Sequence, residues 1–450
     1  MRVRNPRTGE YDFEFQECKP ETIRNTARKL SANQIAWYHS GIANRIAVIQ
    51  EWKLVLISMK EVLVGALAAD TGRTWETTAE VDWVIDSIDK WCAVARKFYD
   101  QHNEWIPYPL ITVLSPWNFP LALSMMDTLP ALLSGAAVMV KPSEVTPRHV
   151  MVLKETIDLV PGLHEVLCIT PGTVETGALM ADKSDLICFT GSIASARKVL
   201  LAASKKMIPV LFDLGAKDPA VVLSSADLEM AATAIVKGST TNAGQSCLSF
   251  ERIYVHASVH DALVDLLISK ANELKFIDTH LLKGEIGPII FEKQVLTINT
   301  HLEDAIALGA TLVTGSKQCE EINGGFYCRP TVLVNVTQNM LVMREETFGP
   351  IMPVMAFDQT DELIEMVNDS EYALGAAVFA GSDEEALQVA RRINAGAVSI
   401  NEAALNAILH ASDSVSFNWS GVGGLRIGPE NFSRFLKKKN IHLLKNSYSH

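Results

Sequence analysis

The sequence predicts an α/β protein made of two parallel-sheet halves, and three observations predict it. Short apolar runs rich in β-branched residues alternate with helical stretches from Pro109 onward. These runs read as strands buried on both faces, the pattern of parallel sheet. They fall into two sets, and neither a repeat of ~20–50 residues nor a low-complexity linker interrupts them.

The elements follow in order. Residues 29–70 read as helices with a charged outer face, and in 76–98 the residues Val81, Val84, Ile85, Ile88, Trp91, Cys92 and Ala95 recur at helical spacing. The first strand set is ITVLS (111–115), AAVMV (136–140), EVLCIT (165–170), DLICFT (185–190), PVLFDL (209–214) and PAVVLS (219–224). The second is ERIYVH (251–256), ATLVTG (310–315), PTVLVN (330–335), AAVFAG (376–381) and GAVSIN (396–401). Two sets imply two α/β domains that meet near 208–214. The tail from Phe417 differs in composition, and its LKKKN run (436–440) reads as a solvated face.

Composition bounds the function. The chain has 450 residues, 48% hydrophobic and 20% charged, enough for two or three cores. A formal net charge of −12 argues against nucleic acid as a partner, because phosphate binding needs a basic footprint. The seven cysteines are scattered and never form C-x-x-C, so neither a disulfide framework nor a structural zinc site is expected, and a reducing, cytoplasmic compartment is. The N-terminal MRVRNPRTGEYDFEF lacks the apolar core of a secretory signal. The weakly charged stretch 109–140 is broken by Pro116, Asn118, Pro120, Asp127 and Pro130, so it reads as strand, loop, helix and strand rather than a membrane span.

Neither G-x-S-x-G, H-E-x-x-H nor a Walker A loop occurs, and GVGGLRIG (421–428) carries Arg426 where a dinucleotide fingerprint needs glycine. The eleven histidines lack ligand spacing, so no metal site is expected. A set of separated short motifs remains. SPWNFP (115–120) puts Trp117 and the Asn118 amide just past a strand, where open sheets bind ligands. VKPSE (140–144) offers Lys141 and Glu144 to hydroxyls or phosphates, and FTGS (189–192) sets Gly191 and Ser192 at a helix N-terminus. FDLGAKDP (212–219) brings Asp213 to the seam, followed by GQSC (244–247) and EETFGP (345–350). Taken singly, these motifs also read as a proline turn, a surface loop, tight turns and a helix end. Cys247 stands among small polar residues, whereas a free cysteine is usually a buried, inert hydrophobe.

In this order and spacing the motifs resemble the NAD(P)-dependent aldehyde dehydrogenase superfamily, from NPRTGE (5–10) to about residue 440. The resemblance implies a Rossmann-like cofactor domain over 1–210, an α/β catalytic domain over 211–403, and a small oligomerisation element from 97–109 with the tail 404–450. It implies a homodimer or homotetramer that oxidises a small-molecule aldehyde. Cys247 would be the nucleophile, Asn118 with the Cys247 backbone N–H the oxyanion donors, and a carboxylate the activator of hydrolytic water. Lys141 and Glu144 would bind the adenosine ribose, Gly191 and Ser192 the pyrophosphate, the Leu214 carbonyl the nicotinamide amide, and Glu346 the nicotinamide ribose, with Phe348 and Trp117 nearby. Glu144 accepts from a ribose 2′-OH and repels a 2′-phosphate, so NAD is expected over NADP.

The chain departs from the family where E-L-G-G-K reads Asp213-Leu214-Gly215-Ala216-Lys217. Aspartate is one methylene shorter than the usual glutamate base, which keeps two other readings open: acyl transfer to coenzyme A, and a catalytically weakened cofactor-binding protein. The usual PFGG-x-K-x-SG is reduced to SVSFNWSG (414–421), so substrate range does not carry over, and Phe417, Trp419 and His410 read as pocket wall or surface.

Overall fold

The computed structural model describes residues 1–102, 104–277, 283–403 and 414–442. Two sheets organise it. The first has six strands in the order Gly421–Val422, Val210–Asp213, Leu186–Thr190, Leu110–Leu114, Ala137–Lys141 and Leu167–Ile169. All pair in parallel except Gly421–Val422, which runs antiparallel with Gly421 opposite Asp213. The second has seven: Thr311–Thr314, Thr331–Val334, Ile351–Phe357, Phe250–His256, Asp218–Val222, Gly375–Phe379 and Ala397–Ile400. The chain crosses from one to the other between Asp213 and Asp218.

Every expected strand forms, but PAVVLS (219–224), grouped above with the first set, joins the second sheet as Asp218–Val222. Ile351–Phe357 is an addition, central in the second sheet between Thr331–Val334 and Phe250–His256. It contains Pro353, which cannot donate to a ladder and normally marks an edge. The stretch 109–140 folds as expected, with a helix Ala122–Leu133 between two sheet strands. Among the described residues no helix is long and apolar enough to cross a membrane.

Four helices, Pro20–His39, Gly41–Ser58, Lys60–Thr71 and Trp75–Gln101, bury their apolar stripes with the first sheet in one core that includes Trp37, Trp52, Val84 and Ile88. Buried polar groups in this layer are paired: the Trp52 indole N–H donates to Thr156 Oγ1 at 2.9 Å and Arg45 Nε to the Leu133 carbonyl at 2.9 Å. Gly72 ends the third helix at φ 70°, and a Cβ there would lie 2.3 Å from the Pro288 ring. That left-handed turn reverses the chain into Trp75–Gln101, whose first turns reach the seam between the sheets. The second sheet packs a core on each face.

Two segments differ from a simple end-to-end arrangement. Within 97–109, Trp105–Pro107 pairs antiparallel with Leu436–Lys438, while Phe432 and Phe435 enter the core of the first half. The expectation that no cysteines are bridged is corrected at one place, because Cys319 and Cys328 form a disulfide with Cα atoms 4.3 Å apart. The hairpin between them registers Glu320 opposite Tyr327, which puts 319 and 328 face to face. Its turn is Asn323-Gly324, both at positive φ, the tight-hairpin dipeptide. Phe417 and Trp419 are exposed, Trp419 stacking under Arg197 at 4.9 Å, and His410 lies outside the described residues.

Candidate active site

A cavity of about 280 Å³ opens at the seam, and its wall includes Cys247, Asp213, Phe119, Trp75, Trp83 and Glu76. The thiol reaches it through an unusual turn. After the helix Leu228–Thr240, Asn242 and Ala243 both adopt φ 53°, followed by Gly244 at φ 73°. Left-handed non-glycine residues cost about 1–3 kcal/mol each unless held by their surroundings. Here they are held. Asn242 Nδ2 donates to the Asn118 carbonyl (3.1 Å) and the Gln245 carbonyl (3.0 Å). Gln245 Nε2 donates to the carbonyls of Asn242 (2.8 Å) and Pro288 (3.2 Å), and its Oε1 accepts from the Ile290 N–H (2.8 Å). A Cβ on Gly244 would fall 2.3 Å from the Gly349 carbonyl carbon, so only glycine fits there.

Asn118 is buried next to this turn, and its Nδ2 donates to the Gln245 carbonyl at 3.1 Å. An amide has two N–H groups, so a second remains for an oxyanion. Burial, then Glu346 and Asp218, push the Cys247 thiol up to about 12, while its own backbone N–H acts the other way. The resting group is therefore a protonated thiol.

Glu346 is half-buried at the seam, where it accepts from the Ala216 N–H at 2.9 Å. Burial, and next Glu251, push its carboxyl up to about 8. The turn that carries it is clamped by Glu251, which accepts from the N–H groups of Thr347 and Phe348 (both 2.7 Å) and from Lys217 Nζ (2.6 Å). Phe348 sits at φ 52° with its ring 5.5 Å from that of Trp117 in an edge-on contact. The structure thus brings Trp117, Phe348 and Glu346 to one side of the seam and Cys247 with Asp213 to the cavity.

Asp213 ends its strand, and its carbonyl accepts from the Gly191 N–H at 3.1 Å. The Leu214 N–H donates to the Ser420 carbonyl at 2.9 Å, and Leu214 is buried. With its own N–H engaged, Gly191 contributes close approach rather than a donor: a Cβ there would come 2.8 Å from the Phe189 ring. Ser192 caps the helix Ile193–Lys206, accepting from the Ser195 N–H. Lys141 Nζ donates to Glu144 Oε2 (3.0 Å) and the Gly172 carbonyl (2.8 Å). These last four residues lie along the strand ends of the first sheet and are not part of the cavity wall.

Sequence reasoning missed Gln245, Glu251 and Lys217 as the supports of the site. Gln245 was visible only as a neighbour of the cysteine. Glu251 and Lys217 open or precede strands, where a charge inside an apolar run is itself a signal of buried pairing. Glu76 and Glu80 were also missed. Glu80 Oε1 accepts from the N–H groups of Leu121 (2.9 Å) and Ala122 (3.0 Å), and its Oε2 pairs with buried Arg73.

The profile described as "Aldehyde dehydrogenase family" matches residues 1–441. A "putative succinate-semialdehyde dehydrogenase", named for NADP(+), from Mycolicibacterium smegmatis is 31% identical over 440 residues, covering 94% of this chain and 84% of that protein. Among solved structures, the "putative aldehyde dehydrogenase PutA" of Anabaena variabilis superposes with a TM-score of 0.96 at 46% identity, covering 100% of this chain and 98% of that one. Lactaldehyde dehydrogenase from Escherichia coli gives 0.92 at 27% identity, covering 99% and 96%.

Proposed function

Since the chain belongs to the aldehyde dehydrogenase family, we propose that it oxidises an aldehyde to a carboxylic acid with NAD, through a thioester on Cys247. The observation that carries the reading is that Cys247 and Asp213 share one cavity wall at the seam.

The steps follow from the residues. The resting thiol is protonated, so its proton must leave as sulfur adds to the carbonyl carbon, and Asp213 is the carboxylate in the same cavity to receive it. The carbonyl π pair moves to oxygen, where the free N–H of Asn118 and the Cys247 backbone N–H stabilise the charge. When bound, NAD supplies the hydride acceptor. Loss of that hydride leaves an acyl group on Cys247 sulfur. Asp213 gives the thiol's proton up to solvent, takes a proton from water as that water attacks the thioester, and passes it to the departing sulfur, so Cys247 leaves as the thiol and the acid is released.

The residues fit a dinucleotide. A side chain on Gly191 would meet Phe189, and this bare turn opens the 14-residue helix capped by Ser192, whose N-terminus favours a pyrophosphate. Lys141 and Glu144 would hold the adenosine ribose, Glu346 the other ribose, and Leu214, Trp117 and Phe348 the nicotinamide. The relative from M. smegmatis is named for NADP(+). NAD is nonetheless favoured here, because Glu144 and Glu175 both flank the Lys141 ammonium and a 2′-phosphate would add negative charge beside them. The proposal extends to a cytoplasmic homodimer or homotetramer. Its oligomerisation element would be built from 97–109 and the tail, which the pairing of Trp105–Pro107 with Leu436–Lys438 joins.

A second reading has one observation behind it: Asp213 stands where the family carries glutamate, so hydrolysis is the weakest step and acyl transfer to coenzyme A is the alternative. The test is NADH formation with hexanal and benzaldehyde, with and without coenzyme A, and the product identified. NADH with free acid in the absence of coenzyme A is expected. Turnover only with coenzyme A establishes the second reading, and no NADH with any aldehyde overturns the first.

A further inference from the structure

The relative from M. smegmatis is named for a substrate that ends in a carboxylate. The cavity wall has the opposite character. Among the described residues three carboxylates line it, Glu76, Glu80 and Asp213, together with Trp75, Trp83 and Phe119, and no lysine or arginine does. Nor does the chain from Glu402 to Gly421, which supplies Val415 and Ser416 to the wall, contain either residue. Arg73 is 1% exposed, pairs with Glu80, also attracts Glu76, and lies against Phe119, whose ring centre is 4.7 Å away.

The three acids are not equivalent. Glu80 is fully engaged by Arg73 and two backbone N–H groups. Glu76 is 4% exposed, and its Oε2 has no hydrogen-bond partner among the described residues. A buried, unpartnered carboxylate oxygen is costly unless a ligand completes it. Trp75 and Trp83 line the same cavity, and indole rings are surfaces that attract a cation.

We infer that the aldehyde oxidised by this chain carries a cationic amine at the end remote from the carbonyl, received by Glu76 with Trp75 and Trp83. This rests on the aldehyde oxidation proposed above and deepens it to a substrate class. A terminal carboxylate is disfavoured by like charge in a wall whose described residues offer it no cationic partner.

The test uses three aldehydes of one shape, X–CH2–CH2–CHO, in which X is ammonium (3-aminopropanal), methyl (butanal) or carboxylate (succinate semialdehyde). With NAD and the full chain, kcat/KM is expected to be highest for 3-aminopropanal, on the order of tenfold above butanal, with succinate semialdehyde lowest. Glu76→Gln keeps the shape and removes the charge. It should erase the preference for 3-aminopropanal over butanal, mainly through the KM for 3-aminopropanal. A preference for succinate semialdehyde, or equal losses on all three substrates in the variant, overturns the inference. Binding of the unreactive alcohols 3-aminopropanol, 1-butanol and 4-hydroxybutyrate, followed by tryptophan fluorescence of the unmodified chain, reads the same order without catalysis or a variant. Butanal oxidised without a preference for the amine sinks this inference and leaves the dehydrogenase standing. If none of the aldehydes is oxidised, the dehydrogenase reading fails, and the alcohol series alone decides the charge preference of the cavity.

Discussion

The proposed nucleotide side of the seam and the proposed aldehyde side are built in different ways. On the nucleotide side, Lys141 with Glu144, and Gly191 with Ser192, each lie within a few residues of a strand's C-terminal end. A short motif and its strand are enough to place them. The cavity is assembled from distant parts: Trp75 to Trp83 from a helix, Phe119 from a strand–helix turn, Asp213 from a strand end, Cys247 from a left-handed turn and Ser416 from the tail. The proposed adenosine and pyrophosphate contacts can be carried by local sequence, whereas the substrate pocket, like the nicotinamide end with Trp117, Leu214 and Glu346, is a property of the folded chain.

That contrast can be tested from its strongest point downward. Cys247→Ala removes the atom on which the cavity's chemistry depends. NADH formation should fall by at least about 10³-fold, while NAD binding by fluorescence titration stays within about twofold, since no nucleotide motif is touched. Asn118→Ala should lower kcat by about 10²- to 10³-fold, the usual effect of losing one oxyanion donor, with a smaller change in KM for aldehyde. On the nucleotide side, Glu144→Gln should act only on cofactor choice. Kinetics with both cofactors are expected to show kcat/KM for NADP rising about threefold to tenfold and that for NAD falling, with the aldehyde KM unchanged.

The smallest effect is on stability. Burial, and next Glu251, hold the Glu346 carboxyl at about 8 against an ordinary 4.5, so the folded state keeps a proton that the unfolded chain releases. Stability from this group is complete below about 4.5 and is lost as pH rises towards about 8. Asp218, raised to about 7 mainly by burial, acts in the same direction. Asp70 adds to this loss, while His149 and His301, held at about 4 mainly by burial, act the other way up to about pH 6.5. The test is therefore the difference between chains: from about pH 5 to 8 the urea midpoint should fall less, or rise more, in Glu346→Gln than in the unmodified chain.

Much of the fold was legible because buried parallel strands are short apolar runs, and every run in both sets became a strand. Ile351–Phe357 was not, because Pro353 breaks the signal that a central strand usually gives. The Cys319–Cys328 bridge escaped a reading based on cysteine spacing, although Asn323-Gly324 midway between them marks the hairpin that aligns them. In the site, Cys247 and Asp213 were legible from their motifs. Gln245 was not, since its role depends on carbonyls that the left-handed turn collects around it. Glu76 was invisible for a related reason: an acid in the first turn of a helix looks like dipole compensation until the cavity beside it is seen.

The central claim is that the aldehyde becomes an acyl group on Cys247. The most direct measurement is mass spectrometry of enzyme quenched in acid during turnover of hexanal with NAD, followed by peptide mapping. The account predicts a hexanoyl adduct on the peptide containing Cys247, absent from Cys247→Ala and absent without NAD. Steady NADH formation with an adduct on another residue, or turnover that persists in Cys247→Ala, would contradict it.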